Sequence, residues 1–199
     1  MHHYHIRDIS VQLSYPTDRP TCDTDTFWQY QWACGYGMAE HIISLDGTGK
    51  TLLDLGPGLG LCTIIASHRN FTVTAVDYQQ GSLDYTLHNA ILNNVPAPRC
   101  ILQSWKEFDE TSTGTYDVIL AGDAFYNRSS SRELMDLFAS HLAPNGTIYI
   151  TSQVNIGFLT EELNMRGWQY TQKFITPNFT IEVPDGNDRY QIQLVTITP

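Results

Sequence analysis

One rhythm constrains this chain more than any other feature. From Lys50 onward, short apolar runs alternate with stretches of helical spacing. The apolar runs cover residues 51–55, 71–76, 100–103, 116–121 and 147–152; helical patterns cover 61–68, 80–93, 129–142 and 158–166, the last closed by Gly167. Five-residue apolar runs suit strands, and Val118-Ile119-Leu120-Ala121 is apolar on both faces, as in a strand covered from both sides. Parallel strands need crossovers, and helices supply them, so the chain is expected to be α/β, with a mainly parallel sheet and helices on both faces. Two final runs, 168–175 and 190–198, flank a polar loop containing Pro184-Asp185-Gly186 and read as a hairpin that makes one sheet edge antiparallel.

The residues before this rhythm read differently. Residues 4–15 alternate enough, through Ile6, Ile9, Val11 and Leu13, for a strand or a strand pair, while Met1-His2-His3-Tyr4-His5 reads as an irregular, flexible terminus. Residues 16–25 are rich in Pro, Thr and Asp, which is loop chemistry. Residues 27–45 turn helical, but Gly35 and Gly37 each cost about 1 kcal/mol in a helix interior, so either the helix begins late or something packs closely there. In 80–93, Leu83, Leu87, Ile91 and Leu92 gather on one side, and Pro144-Asn145-Gly146 is expected to end the helix over 129–142. With 199 residues and no repeat or Ser/Gly linker, the expected organisation is an N-terminal strand segment and loop, 1–25, and one domain, 26–199.

Composition narrows the partners. Twenty-one acidic and 11 basic side chains give a net charge of −10, and basic residues so thinly spread form no phosphate-binding stripe, so nucleic acid is not expected as a partner. Cys22, Cys34, Cys62 and Cys100 form no Cys-x-x-Cys unit and lie near no His at ligand spacing, so free thiols and no metal are expected. His41, His68, His88 and His141 read as surface or packing residues. No charged-then-apolar leader opens the sequence and no apolar run approaches a membrane span, so the expected setting is cytoplasmic, without membrane contact.

The chemistry concentrates in Asp54-Leu55-Gly56-Pro57-Gly58-Leu59-Gly60, between an apolar run and a helical one. Glycines at such a turn let a ligand approach the backbone. Gly-x-Gly-x-x-Gly fails because Leu61 holds its last position, and no Gly-Lys-Ser/Thr follows for a phosphate loop. A carboxylate before the first glycine would repel a pyrophosphate and suits a cationic amine. Asp77, 23 residues after Asp54 and at the end of the next run, stands where sheets of this type place the acid that holds a ribose. An amine and a ribose without phosphate describe S-adenosylmethionine.

The segment resembles motif I of the class I, seven-strand, S-adenosylmethionine-dependent methyltransferases, and the order of elements from Lys50 to Thr198 resembles that Rossmann-like fold with its C-terminal hairpin. Two further segments resemble the family 16 protein-lysine methyltransferases, and especially the branch acting on the electron-transfer flavoprotein β subunit: Phe27-Trp28-Gln29-Tyr30-Gln31-Trp32 ahead of Gly35 and Gly37, and Gly122-Asp123-Ala124-Phe125-Tyr126, an Asp-x-x-Tyr after the fourth strand. One departure concerns the acceptor side: Thr151-Ser152-Gln153-Val154 stands where the family often has Asp-Pro-x-Arg.

The resemblance implies an enzyme that N-methylates a protein lysine and leaves S-adenosylhomocysteine as product. Asp123 and Tyr126 would be catalytic; Trp32, Asp54, Gly56, Gly58, Gly60, Asp77, Tyr78, Trp105 and Ala121 would hold the cofactor, and Trp28 is read as core. Two other readings stay open on sequence alone: methylation of a small amine or other metabolite, and a cofactor-binding partner protein without catalysis.

Overall fold

The computed structural model describes residues 1–17, 26–125, 128–153, 156–177 and 191–199, with side chains of 128–130 left aside. The chain opens with β1 (His2–Ile6) and β2 (Ile9–Leu13), an antiparallel hairpin that forms a sheet of its own. The opening histidines thus lie in a strand rather than an irregular terminus. A 3₁₀ turn at Phe27–Gln29 leads to α1 (Ala33–Ile42). Then come β3 (Thr51–Leu55), α2 (Leu61–His68), β4 (Thr72–Asp77), α3 (Gln80–Leu92), β5 (Arg99–Leu102) and α4 (Trp105–Thr111). The chain continues through β6 (Tyr116–Gly122), α5 (Arg128–His141), β7 (Leu142–Ser152), α6 (Gly157–Arg166), β8 (Gln169–Ile175) and β9 (Ile192–Thr198).

The main sheet has seven strands in the order β5-β4-β3-β6-β7-β9-β8, with β9 antiparallel to both neighbours and the other pairings parallel. The expected architecture is therefore present. Successive β3 residues point to opposite faces, so Leu52 joins a core formed with α1, α2 and the N-terminal hairpin, while Leu53 joins one formed with α4, α5 and α6. The strand order reverses between β3 and β6, and in open α/β sheets the crevice outside the carboxyl ends at that point takes ligands. Register fixes which residues meet there: Leu55 lies beside Val76 on one side and Ala121 on the other, so the ends of β4 and β6 flank the glycine loop.

The structure decides several local expectations. The helical pattern over 27–45 begins only at Ala33, and both glycines stay inside the helix because neighbours press on it. A Cβ on Gly37 would come within 3.0 Å of Ile175 and 3.1 Å of Ile192, and one on Gly35 within 2.7 Å of Gln31. Helix α5 stops at His141; Leu142 already pairs with Tyr116, and Pro144-Asn145-Gly146 occupies the irregular stretch before the regular ladder resumes at Thr147. His141 is a packing residue: buried against Phe108, its Nδ1 lies 2.7 Å from the Gly114 carbonyl and its Nε2 3.3 Å from Asp109. Helix α4 has too little apolar periodicity to be read from sequence, yet Ser104 and Glu107 form a reciprocal cap at its start.

The largest change concerns α3. Its apolar side does not turn inward as a unit: Leu83 is buried, but Leu87 is 37% and Ile91 63% exposed. The buried stripe is instead Ser82, Thr86 and Asn89, and it binds backbone. The Asn89 amide accepts from Ser14 N–H (2.8 Å) and donates to the carbonyls of Ser14 (3.2 Å) and Leu59 (2.9 Å). One turn on, Asn93 accepts from Gln12 N–H (2.8 Å) and donates to Gln12 O (2.7 Å). These bonds tie the hairpin to α3 and so to the glycine loop. Asn89→Leu strands the part-buried backbone groups of Ser14 and the buried carbonyl of Leu59. It should cost about 2–4 kcal/mol in urea unfolding and speed amide exchange at Ser14 more than in the central strands.

Candidate active site

The glycine loop leaves β3 through three residues in left-handed conformation, Gly56 (φ 72°), Gly58 (φ 60°) and Gly60 (φ 84°), where a side chain would be strained. Their surroundings differ. In front of Gly56, a Cβ would meet only Trp105, at 3.8 Å, and both Gly56 and Gly58 line a cavity of about 710 Å³. A Cβ on Gly60 would lie 3.0 Å from the Thr86 backbone, so Gly60 lets the loop pack on α3. It is not among the residues lining the cavity. Pro57 also lines the wall, and its carbonyl accepts from Gly60 N–H at 2.9 Å, closing the turn.

Two carboxylates stand behind this loop. Asp54, at the end of β3, is 4% exposed and accepts a hydrogen bond from the Thr63 hydroxyl at 2.7 Å. Burial pushes its carboxyl up to about 6, and the neighbouring Asp77 charge adds to the effect. Asp77, ending β4, is 6% exposed and accepts from the Ser82 hydroxyl at 2.6 Å and from Gln79 N–H at 2.9 Å; burial raises its carboxyl as well.

Aromatic side chains close the space around the loop. Trp105 is half-buried at the start of α4, Tyr78 is 56% exposed directly after Asp77, and both line the cavity. Trp32 lines it too, its indole N–H donating to Phe27 O at 2.8 Å. Trp28, read as core from the sequence, packs on the first core and also walls the cavity; its ring sits so close to Gly81 that a Cβ there would come within 2.5 Å.

Asp123 follows β6 in a left-handed conformation (φ 53°), with its N–H donating to Thr151 O at 2.7 Å. Asp123 lines the same cavity, and burial pushes its carboxyl up, against the opposing effect of the nearby Gln153 backbone N–H. Ala121 points into the core beneath α5, leaving Leu120, Gly122 and Asp123 on the cavity side of β6. Tyr126 lies outside the described residues. The sequence reading missed Cys34, Gln31 and Met38 from the α1 segment and Glu133 from α5, all of which line the cavity. It also missed Thr63 and Ser82, the hydroxyl residues in the first turns of α2 and α3. Among the described residues, no three His, Cys, Asp or Glu side chains group to hold a metal, and no helix is long and apolar enough to cross a membrane.

Asp54 gives a signed pH dependence. Its carboxyl holds a proton more tightly in the folded chain, at about 6, than at its ordinary value of 3.8. Ionisation therefore costs stability at neutral pH, fully above about pH 6 and not at all below about 3.8. In the ligand-free protein, Asp54→Asn should raise the unfolding free energy near pH 7 by on the order of 2 kcal/mol. That gain should vanish by about pH 4 in paired urea titrations.

A model for the methyltransferase domain matches residues 36–179. Curated relatives include a histidine protein methyltransferase 1 homolog of Dictyostelium discoideum, 29% identical over 128 residues, which cover 61% of this chain and 41% of the relative. The EEF1A lysine methyltransferase 3 of Mus musculus is 29% identical over 61% of this chain and 51% of its own length. The protein-lysine methyltransferase METTL21E of Bos taurus is 26% identical over 74% and 52%. The chain thus spans about half the length of the curated relatives it matches. Among solved structures, the precorrin-6y C5,15-methyltransferase of Geobacter metallireducens superposes with a TM-score of 0.65 at 11% identity, covering 94% of this chain and 95% of that one. The magnesium protoporphyrin IX methyltransferase of Synechocystis, solved with bound SAM, gives 0.61 at 14% identity, over 83% and 80%. At such identities these two speak for the fold, while the matched model spans most of the chain: this protein belongs to the methyltransferase domain family.

Proposed function

We propose that this chain transfers a methyl group from S-adenosylmethionine to a side-chain amine of a protein, and that the amine is a lysine. The observation that carries the reading is the convergence of Asp54, Asp77 and Asp123 from three adjacent strands on one cavity behind the glycine loop. Lysine and histidine methyltransferases among the relatives support a protein acceptor.

The residues present fit the cofactor. Gly56 and Gly58 offer backbone without Cβ atoms, as a ligand lying against the loop requires, and no phosphate-binding loop competes. Asp77 would hold the ribose hydroxyls, Asp54 would act on the cationic amino group, and Tyr78, Trp105 and Trp32 offer aromatic surface to the adenine and the sulfonium. When bound, S-adenosylmethionine supplies a methyl group already activated by the sulfonium.

What remains for the protein is positioning and charge. A lysine arrives as an ammonium, and the Asp123 carboxylate attracts and aims it. Only the neutral amine is a nucleophile, so its proton must leave; water reaches the mouth beside exposed Tyr78 and Glu133. Phe27, Trp28 and Trp32, each half-buried, add apolar wall to the cavity.

Labelled S-adenosylmethionine incubated with the protein and a proteome fraction should place label on lysine in a protein band. Label confined to small molecules would overturn the protein acceptor, and label on histidine would overturn lysine. By calorimetry, Asp77→Asn should weaken S-adenosylhomocysteine about 10–100-fold, the worth of a hydrogen bond to a charged group. Asp123→Asn should leave that affinity within about threefold and lower methylation about 100-fold or more.

A further inference from the structure

Gly81 is the second residue of α3, and its own backbone does not call for glycine, because its φ is not in the left-handed region. Glycine is a poor helix former, so an alanine there would favour α3. What the position cannot take is a Cβ: one would come within 2.5 Å of Trp28 Cζ2, 2.8 Å of Cη2 and 3.3 Å of Cε2. All three atoms belong to the six-membered ring of the indole. That ring has little room to swing aside, since it packs on the first core and against Tyr85, with ring centroids 5.6 Å apart. The same residue crosses the glycine loop with its backbone: a Cβ on Gly58 would meet Trp28 O at 3.5 Å and Trp28 Cα at 3.9 Å. Trp28 thus reaches from the glycine loop to the first turn of α3, just after Asp77, and walls the cavity that Gly58 and Asp77 also line. Its neighbours brace it. The Trp32 indole N–H donates to Phe27 O at 2.8 Å, and the rings of Phe27 and Trp32 meet edge to face at 5.7 Å. The seat of Trp28 therefore fixes where residues 27–32 lie over the loop.

We propose that Gly81 is a positioning residue for cofactor binding: it is the notch that seats Trp28, and the seated Trp28 holds residues 27–32 over the part of the cavity between the glycine loop and Asp77. A methyl group at position 81 lifts the ring and, with it, the cover. The glycine loop and Asp77 stay in place, so the cofactor still enters, but it leaves faster. Helix propensity and function pull in opposite directions at this position, and the close approach of the indole decides for glycine.

The inference rests on the cofactor and not on the acceptor, so it is tested without methyl transfer; label confined to small molecules would sink the lysine reading and leave it standing. S-adenosylhomocysteine binding to the full chain is followed by calorimetry, and its release by stopped-flow displacement. Gly81→Ala should weaken binding about tenfold, mainly through faster release. Trp28→Phe withdraws the ring atoms that meet position 81, so adding Gly81→Ala to Trp28→Phe should change affinity by less than about twofold. Undiminished affinity in Gly81→Ala overturns the proposal, and so does a loss of the same size whether or not Trp28→Phe is present. If Gly81→Ala alone does not fold, the double variant must fold and bind as Trp28→Phe does, because the indole is what refuses the methyl group; a double variant that fails to fold or to bind overturns the proposal as well.

Discussion

Two carboxylates held out of water at the ends of neighbouring strands are the constraint around which this structure is arranged. An isolated buried carboxylate is costly unless hydrogen-bonded. The chain answers in the same way twice: the third residue of the helix after each strand carries the hydroxyl that reaches back, Thr63 in α2 for Asp54 and Ser82 in α3 for Asp77. The first turns of both helices therefore lie against the acids, with their unpaired N–H groups and the positive end of the helix dipole nearby. The tight loop of left-handed glycines follows from this demand, because a looser turn would carry α2 away from Asp54. A cationic ligand, as proposed for this cavity, would relieve the residual electrostatic cost.

Much of this was legible in the sequence. The alternation of apolar runs and helical patterns placed the central strands and most helices, because strands covered on both faces are mostly apolar. The acids at the ends of the first and second runs, and Asp123 after the fourth, stood out for a related reason: polar residues terminate apolar runs where the sheet meets solvent or a ligand. Asp54, Asp77 and Asp123 do line one cavity.

What was not legible needed three dimensions. Periodicity assigned the inward side of α3 to Leu87 and Ile91, but those residues lie outward, since the helix is held by hydrogen bonds to loop and hairpin backbone rather than by an oily stripe. Gly60 looked like its two predecessors until Thr86 appeared behind it. Ala121 precedes the cavity-lining pair Gly122 and Asp123, but strand alternation turns it to the opposite core.

The clamp on the N-terminal hairpin has a consequence beyond holding it down. Gln12 and Ser14 are spaced as alternate residues of an extended strand, and each has both its N–H and its C=O satisfied by one side-chain amide, from Asn93 and Asn89. Two asparagines one helical turn apart thus imitate the peptide groups of an absent neighbouring strand. That margin of β2 offers no ladder to another extended chain, whether an unfolded copy of this protein or a peptide seeking to add a strand.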